Sequence, residues 1–98
     1  MVVISDTFGR PWREGLVNVA LGVAGMAPLV DYRGQQDAHG KVLQATVIAL
    51  ADELAAAGGL VMGKLNRVPA AVLRGLTMPQ GSGNGRDLIR TAEKNLFP

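Results

Sequence analysis

The sequence predicts an α+β fold in which mixed or antiparallel strands pack on one long, buried helix. Two apolar segments near the start have the β-branched or alternating composition of strands, and an alanine-rich segment near the middle has the composition of a helix. A further strand and a short helix follow, an order typical of α+β rather than doubly wound folds. With 98 residues, the chain is long enough for one small domain.

The first strand is predicted over residues 2–4, a β-branched apolar run of the kind found in buried strands. It brings an oxygen-rich group, Ser-Asp-Thr at residues 5–7, to its carboxyl end. A bend then follows, because Gly9 permits a tight turn and Pro11 keeps the residue before it out of the helical region. Binding and catalytic groups usually lie on loops held by a rigid strand of this kind.

The polar stretch after this strand combines two kinds of chemistry. Asp6 and Thr7, with the serine before them, form an oxygen cluster suited to a hard cation such as Mg²⁺ or Mn²⁺. Arg10 and Arg13 offer planar forks that bind phosphate or carboxylate. A metal-binding carboxylate beside phosphate-binding arginines is what phosphoryl transfer requires. Residue types alone also allow a plainer interpretation, in which Asp6 caps a turn and the arginines are solvated.

A second strand is predicted over residues 17–24, where large apolar residues alternate with small ones. The small face of such a strand is one that other backbone approaches closely, either near a site or in simple packing. The polar loop over residues 29–40 supplies candidates for substrate contacts, although a lone histidine in such a loop is more often solvated. These candidates are Asp31, Arg33, Asp37 and His39.

The longest helix is predicted over residues 41–57 and is expected to end at Gly58 and Gly59. Apolar residues occur nearly all round its helical wheel, so we expect burial on most sides. Asp52 and Glu53 are candidate ligands within it, but capping or solvation is the commoner role for such residues.

Downstream, a strand is predicted over residues 69–76 and a short amphipathic helix over residues 86–97. The glycine-rich turn between them, residues 81–85, can cradle phosphate through its amides. Glycine-serine loops are more often simply flexible, so both interpretations stay open here.

Composition excludes several functional classes. The net charge is +2 with no run of basic residues, so no nucleic-acid surface is predicted. There are no cysteines and hence no disulfides, and the longest apolar stretch is interrupted by Gln44, Asp52 and Glu53, which argues against a membrane span. Charged residues make up only 18%, below the usual value of about 25%, which favours a surface covered by a partner subunit or by the rest of a larger protein.

Residues 5–13, Ser-Asp-Thr-Phe-Gly-Arg-Pro-Trp-Arg, resemble a characteristic block of the coenzyme F-420:L-glutamate ligases, or gamma-glutamyl ligases. The resemblance continues in Asp-Tyr-Arg-Gly at 31–34, Ala-Asp-Glu at 51–53, Met-Gly-Lys at 62–64, Val-Pro at 68–69 and Arg-Asp-Leu-Ile-Arg at 86–90. It spans nearly all 98 residues and identifies residues 1–98 as the C-terminal portion of such a ligase domain, without its N-terminal portion.

The resemblance implies an enzyme of coenzyme F-420 biosynthesis that uses GTP and a divalent metal, Mn²⁺ or Mg²⁺. Members of the family phosphorylate the terminal carboxylate of the coenzyme precursor, and the amine of L-glutamate then attacks the acyl phosphate. Carried over by position, the resemblance implies that Asp6 binds one metal and Thr7 the second, and that Arg10 and Arg13 bind phosphate or the acidic substrate tail as catalytic groups. The nucleotide site that it implies consists of Met62, Gly63, Lys64, Val68 and Pro69.

The resemblance also implies an intertwined homodimer in the cytoplasm, with no nucleic-acid or membrane partner. Because the N-terminal portion carries further nucleotide and metal ligands, its absence leaves an alternative open. In that alternative, the chain is a truncated, noncatalytic remnant or an interaction module of the same family.

Overall fold

The computed structural model describes residues 1–95, which begin with a long antiparallel hairpin. Its strands are β1, Val2–Arg10, and β2, Arg13–Ala24. The strand predicted over residues 2–4 is therefore only the start of a strand of 9 residues. Residues 5–7 lie inside this strand rather than at its carboxyl end, because β2 continues to pair with it as far as Arg10 and Arg13. The predicted burial is also wrong in part, since the Ile4 side chain is 63% exposed.

A β-bulge in β2 decides which side chains of the hairpin reach the core. Ile4 pairs with Gly22 and Ser5 pairs with Ala20, so Leu21 is the additional residue. Because one extra residue reverses the alternation of side chains, Ala20 and Val23 both belong to the core cluster, whereas Leu21 is 51% exposed. The predicted strand over residues 17–24 is confirmed, but its large residues do not all share one face.

Residues 30–48 form a second hairpin in place of the first part of the predicted helix. Its strands are β3, Val30–Asp31, and β4, Val47–Ile48, and they pair antiparallel. The ladder continues beyond them, since the Tyr32 N–H donates to the Thr46 carbonyl over 2.9 Å. Thr-Val-Ile at residues 46–48 is β-branched and favours this extended pairing over a helix.

The helix α1 extends over Leu50–Met62 and packs against the first hairpin. It begins later than predicted and continues through the two glycines that were expected to end it, and Gly63 caps its C-terminal end. Its buried residues are small and lie on one face: Ala51, Ala55 and Gly58. Since Leu60 and Val61 are 88% and 68% exposed, burial on most sides is not confirmed. The α+β class itself is confirmed, because antiparallel strands accompany a single α-helix in the described part of the chain.

The chain after α1 has little regular structure. The strand predicted over residues 69–76 is absent, because a strand requires a pairing partner and no described residue pairs with this segment. The helix predicted over residues 86–97 is replaced by two short 3-10 turns, Gly85–Leu88 and Ala92–Lys94, and residues 96–98 lie outside the described part.

The core that these elements share is small. Its buried members are Ala20, Met26 and Ala51, and partly buried apolar side chains surround them: Val3, Val23, Leu50, Leu54, Met78 and Leu88. Among residues 1–95, no helix combines the length and the apolar content that crossing a membrane requires.

Candidate functional site

A cleft of about 610 Å³ lies between the first hairpin and the C-terminal end of α1. Its volume falls within the range of roughly 300–1,000 Å³ that is typical of small-molecule sites. Three stretches of chain line it: β1, β2, and the end of α1 with the segment that follows. The lining residues are Ser5, Asp6, Thr7, Leu16, Asn18, Gly59, Met62, Gly63, Lys64, Val68 and Pro69.

This cleft brings together the two groups of residues for which metal and nucleotide binding were predicted. The candidate metal ligands, Asp6 and Thr7, come from β1. The five candidate nucleotide-site residues come from the end of α1 and the segment after it, and all of them line the same cleft. Segments far apart in the sequence therefore border one volume.

The candidate metal ligands lie on either side of β1 at the border of the cleft. The alternation of the strand places Ser5 and Thr7, both half-buried, on the side that packs toward α1, and Asp6 on the exposed side. The Thr7 N–H donates to Asp6 Oδ1 over 2.7 Å, which folds the carboxylate back along its own strand. This bond occupies one of the two carboxylate oxygens of Asp6, a residue that also lines the cleft.

Oxygen donors at this border form an incomplete set for a divalent ion. Mg²⁺ is usually held by one or two carboxylates together with substrate phosphates and water. Asp6 and the hydroxyl groups beside it fit the protein share of such a set. Within residues 1–95, no group of three or more His, Cys, Asp or Glu side chains is placed to hold a metal.

The opposite wall of the cleft is the turn that ends α1. Gly63 has φ 65° and ψ −175°, a combination essentially restricted to glycine. Its N–H donates to the Gly59 carbonyl over 3.0 Å and closes the last turn of the helix. Lys64 follows directly and is exposed, so it supplies a positive charge at this wall.

The two arginines predicted to be catalytic are not among the residues that line the cleft. Arg10 and Arg13 face each other at the closed end of the first hairpin, where they form a cross-strand pair. Arg10 Nη2 donates to the Glu14 carbonyl over 3.1 Å. Arg10 Nε is buried and has no hydrogen-bond partner within residues 1–95. The role predicted for these arginines stays a prediction.

The loop acids at residues 31–40 shape the second hairpin. Arg33 binds Asp31 through two contacts, Nε to Oδ1 at 2.9 Å and Nη2 to Oδ2 at 2.5 Å. This hydrogen bonding with Arg33 lowers the pKa of Asp31 to about 2 and raises the pKa of Arg33. Asp37 Oδ1 accepts from the backbone N–H groups of His39 and Lys41, which orders the tip of the hairpin. These contacts give both acids structural roles.

The glycine-rich segment at residues 81–85 packs closely against Ala27, Pro28 and the bulge of β2. A methyl group on Gly83 would lie 2.7 Å from Pro28 Cδ, and one on Gly81 would lie 2.9 Å from Ala27 Cβ. A methyl group on Gly85 would overlap the Leu21 carbonyl oxygen at the bulge. Close packing therefore explains why these positions are glycine. This favours a structural role for the segment over phosphate binding.

Asn18, Gly59 and Leu16 line the cleft but were not predicted as site residues. The signal for Asn18 was present, because it lies on the small-residue face of the second strand, where close approach was expected. No comparable signal existed for Gly59, since its position depends on where α1 ends.

An α+β fold with an oxygen-rich strand facing a glycine-lysine turn defines a candidate ligand-binding domain. The sequence profile of the family described as F420-0:Gamma-glutamyl ligase matches residues 1–75, and the chain belongs to this family.

Curated relatives support this assignment along nearly the whole chain. The sequence is 45% identical over 97 residues to the "Coenzyme F420:L-glutamate ligase" of Methanocaldococcus jannaschii. It is 48% identical over 99 residues to the protein of the same name from Methanothermobacter thermautotrophicus, and 41% identical over 97 residues to that of Methanococcus maripaludis strain C7. Each match covers 98% of this chain but only 39% of the relative. The assignment to a C-terminal portion stays a prediction.

Proposed function

We propose that this chain forms part of the active site of a GTP- and metal-dependent ligase. This ligase adds L-glutamate to the coenzyme F-420 precursor. The proposal depends on one observation: the residues predicted to bind the metal and those predicted to bind the nucleotide border the same cleft. Membership in the family and the names of the relatives support the same activity.

In this proposal, each wall of the cleft has its own role. Asp6 and Thr7 hold Mn²⁺ or Mg²⁺, which neutralises phosphate charge when it is bound. Lys64 attracts the phosphate groups from the opposite wall, and the backbone of Gly63 lets the nucleotide approach closely. Met62, Val68 and Pro69 supply apolar surface beside them.

The chemistry follows from the low reactivity of a carboxylate toward amines. A carboxylate oxygen of the precursor attacks the γ-phosphorus of GTP, and GDP leaves. The amine of L-glutamate then attacks the acyl carbon, an amide bond forms, and inorganic phosphate leaves while the nitrogen loses a proton. Positive groups aimed at the transferred phosphoryl group lower the barrier of the first step. Lys64 lines the cleft and can take this role, whereas Arg10 and Arg13 lie outside the cleft and are assigned here to the acidic substrate tail.

We further propose a homodimer located in the cytoplasm, with the coenzyme precursor and L-glutamate as substrates. Exposed apolar side chains on the first hairpin, among them Ile4 and Phe8 at 63% and 49%, support a covering partner subunit.

The test is an assay of the chain with the coenzyme precursor, L-glutamate, GTP and Mn²⁺. We expect a product that carries one additional glutamate, detected by mass spectrometry, with one GDP formed for each amide bond. GDP formation that does not depend on L-glutamate or the precursor would contradict the proposal.

A second candidate is the truncated, noncatalytic remnant or interaction module. The small core favours it. Binding of GTP and Mn²⁺ without any glutamate product would support this candidate.

A further inference from the structure

The side chain of Asn18 in β2 lines the cleft and has no hydrogen-bond partner of its own within residues 1–95. It pairs with Thr7 across the first hairpin, so the two side chains share the face that packs toward α1. Asn18 is half-buried and lines the cleft beside both predicted groups of site residues. Within residues 1–95, its carboxamide forms no side-chain hydrogen bond. A half-buried amide with both donors and its acceptor available is suited to a polar ligand.

Gly59 explains how the Asn18 carboxamide reaches this position. Gly59 lies in the last part of α1, where a glycine lowers helix propensity by about 1 kcal/mol relative to alanine. A methyl group at this position would overlap Asn18 Nδ2 and lie 3.0 Å from Asn18 Cγ. The absence of a side chain at Gly59 therefore leaves the space that the carboxamide fills.

The neighbouring glycine has no such relationship. A methyl group on Gly58 would lie 3.7 Å from Met62 Cε and 3.9 Å from Ala71 Cβ, which are ordinary van der Waals distances. Only one of the two consecutive glycines is thus required by the side chain of Asn18.

We propose that Asn18 is a further ligand-binding residue of this cleft. Its carboxamide donates a hydrogen bond to a phosphate oxygen of the bound nucleoside triphosphate, and the missing side chain at Gly59 provides the space that the carboxamide needs. This inference depends on the proposed function, because it takes GTP as the ligand. The phosphate end is favoured over the base because Asn18 lies across from Thr7, beside the oxygen-rich edge proposed for the metal. A neutral amide suits this place, since its N–H groups donate to phosphate without adding a positive charge beside the proposed metal.

The test is a double-mutant cycle read by isothermal titration calorimetry of GTP into each variant in excess Mn²⁺. Asn18→Ala removes the donor, and we expect the dissociation constant to rise roughly tenfold or more, as for a hydrogen bond to a charged group. Gly59→Ala displaces the carboxamide, and we expect a loss of similar size while the helix keeps or gains thermal stability. The double variant has no carboxamide to displace, so it binds no more weakly than Asn18→Ala alone.

Gly58→Ala is the matched control, because it makes the same change one position earlier in the same helix. We expect its GTP affinity to equal that of the unmodified chain. Unchanged affinity in Asn18→Ala would overturn the inference and leave the proposed function standing. Equal losses in Gly58→Ala and Gly59→Ala would also overturn it, because they would indicate a general disturbance of α1. Absence of GTP binding by the unmodified chain would overturn both the inference and the nucleotide site proposed for the chain.

Discussion

Asp52, in the first turn of α1, accepts a hydrogen bond from the backbone N–H of Ala20 in β2, with 2.8 Å between Oδ1 and the nitrogen. Ala20 lies at the bulge of β2 and belongs to the buried core. This contact fixes the start of the helix against the hairpin, and the other end of the same helix forms a wall of the cleft. The orientation of the site therefore depends on a carboxylate outside it.

Replacing Asp52 with alanine leaves the part-buried Ala20 N–H without an acceptor. We expect a loss of about 1–3 kcal/mol in the free energy of unfolding, the usual cost of an unsatisfied buried donor. Urea denaturation followed by circular dichroism measures this change. Glu53→Ala is the control, since it also removes an acid from the first helical turn but affects an exposed residue. Equal losses in the two variants would show that the helix dipole, and not the bond to Ala20, is responsible.

Replacing Gly63 with alanine forces a side chain into a backbone conformation essentially restricted to glycine, with a cost on the order of 1–3 kcal/mol. The new methyl group would also lie 2.5 Å from Asn66 Nδ2. We expect a lower midpoint in thermal melts. Gly75→Ala is the control for positive φ in open space, because Gly75 has φ 84° and no atom near the place of a new methyl group. We expect a smaller loss there, and a loss for Gly75→Ala that exceeds the one for Gly63→Ala would contradict this assignment.

The pKa of Asp31 is lowered from 3.8 to about 2 by its hydrogen bonds with Arg33. Because the folded-state pKa is depressed, this pair contributes to stability above pH 3.8, and the contribution disappears as the pH falls toward 2. We expect Arg33→Gln to raise the pKa of Asp31 toward its ordinary value, measured by NMR titration of the side-chain carboxyl carbon. Titration of Asp31 near its ordinary value in the unmodified chain would show that the ion pair does not form in solution.

Replacing Asp6 with asparagine keeps the shape of the side chain but removes the charge that we propose for metal binding. We expect Mn²⁺ affinity, and Mn²⁺-dependent GTP binding with it, to fall by about tenfold or more. Titration calorimetry with Mn²⁺ alone measures the first effect. Glu14→Gln is the control, because it neutralises another exposed acid of the first hairpin that does not line the cleft. An Mn²⁺ affinity that is the same in Asp6→Asn and the unmodified chain would exclude Asp6 as a ligand.

The local pattern of residues was sufficient to predict some secondary-structure elements but not others. The alternation in residues 17–24 correctly predicts the later part of β2, because side-chain alternation is a property of the strand itself, although the first four residues of β2 were missed. The start of α1 was predicted too early, because helix propensity is a local property of the sequence. It carries no information about the pairing of Val47–Ile48 with Val30–Asp31, which are distant in the chain. The bulge at Leu21 was not predictable either, since it appears only in the register between two strands.

The sequence by itself determined the family, the α+β class, and the two groups of residues for which metal and nucleotide binding were predicted, because these follow from residue types and their order. Only the tertiary structure decided that these groups border one cleft, that Arg10 and Arg13 do not line it, and that Asn18 does. The physical reason is that the cleft is formed by packing α1 on the hairpin. This packing depends on contacts between distant residues, such as Asp52 with Ala20 and Asn18 with Gly59, which no local pattern specifies.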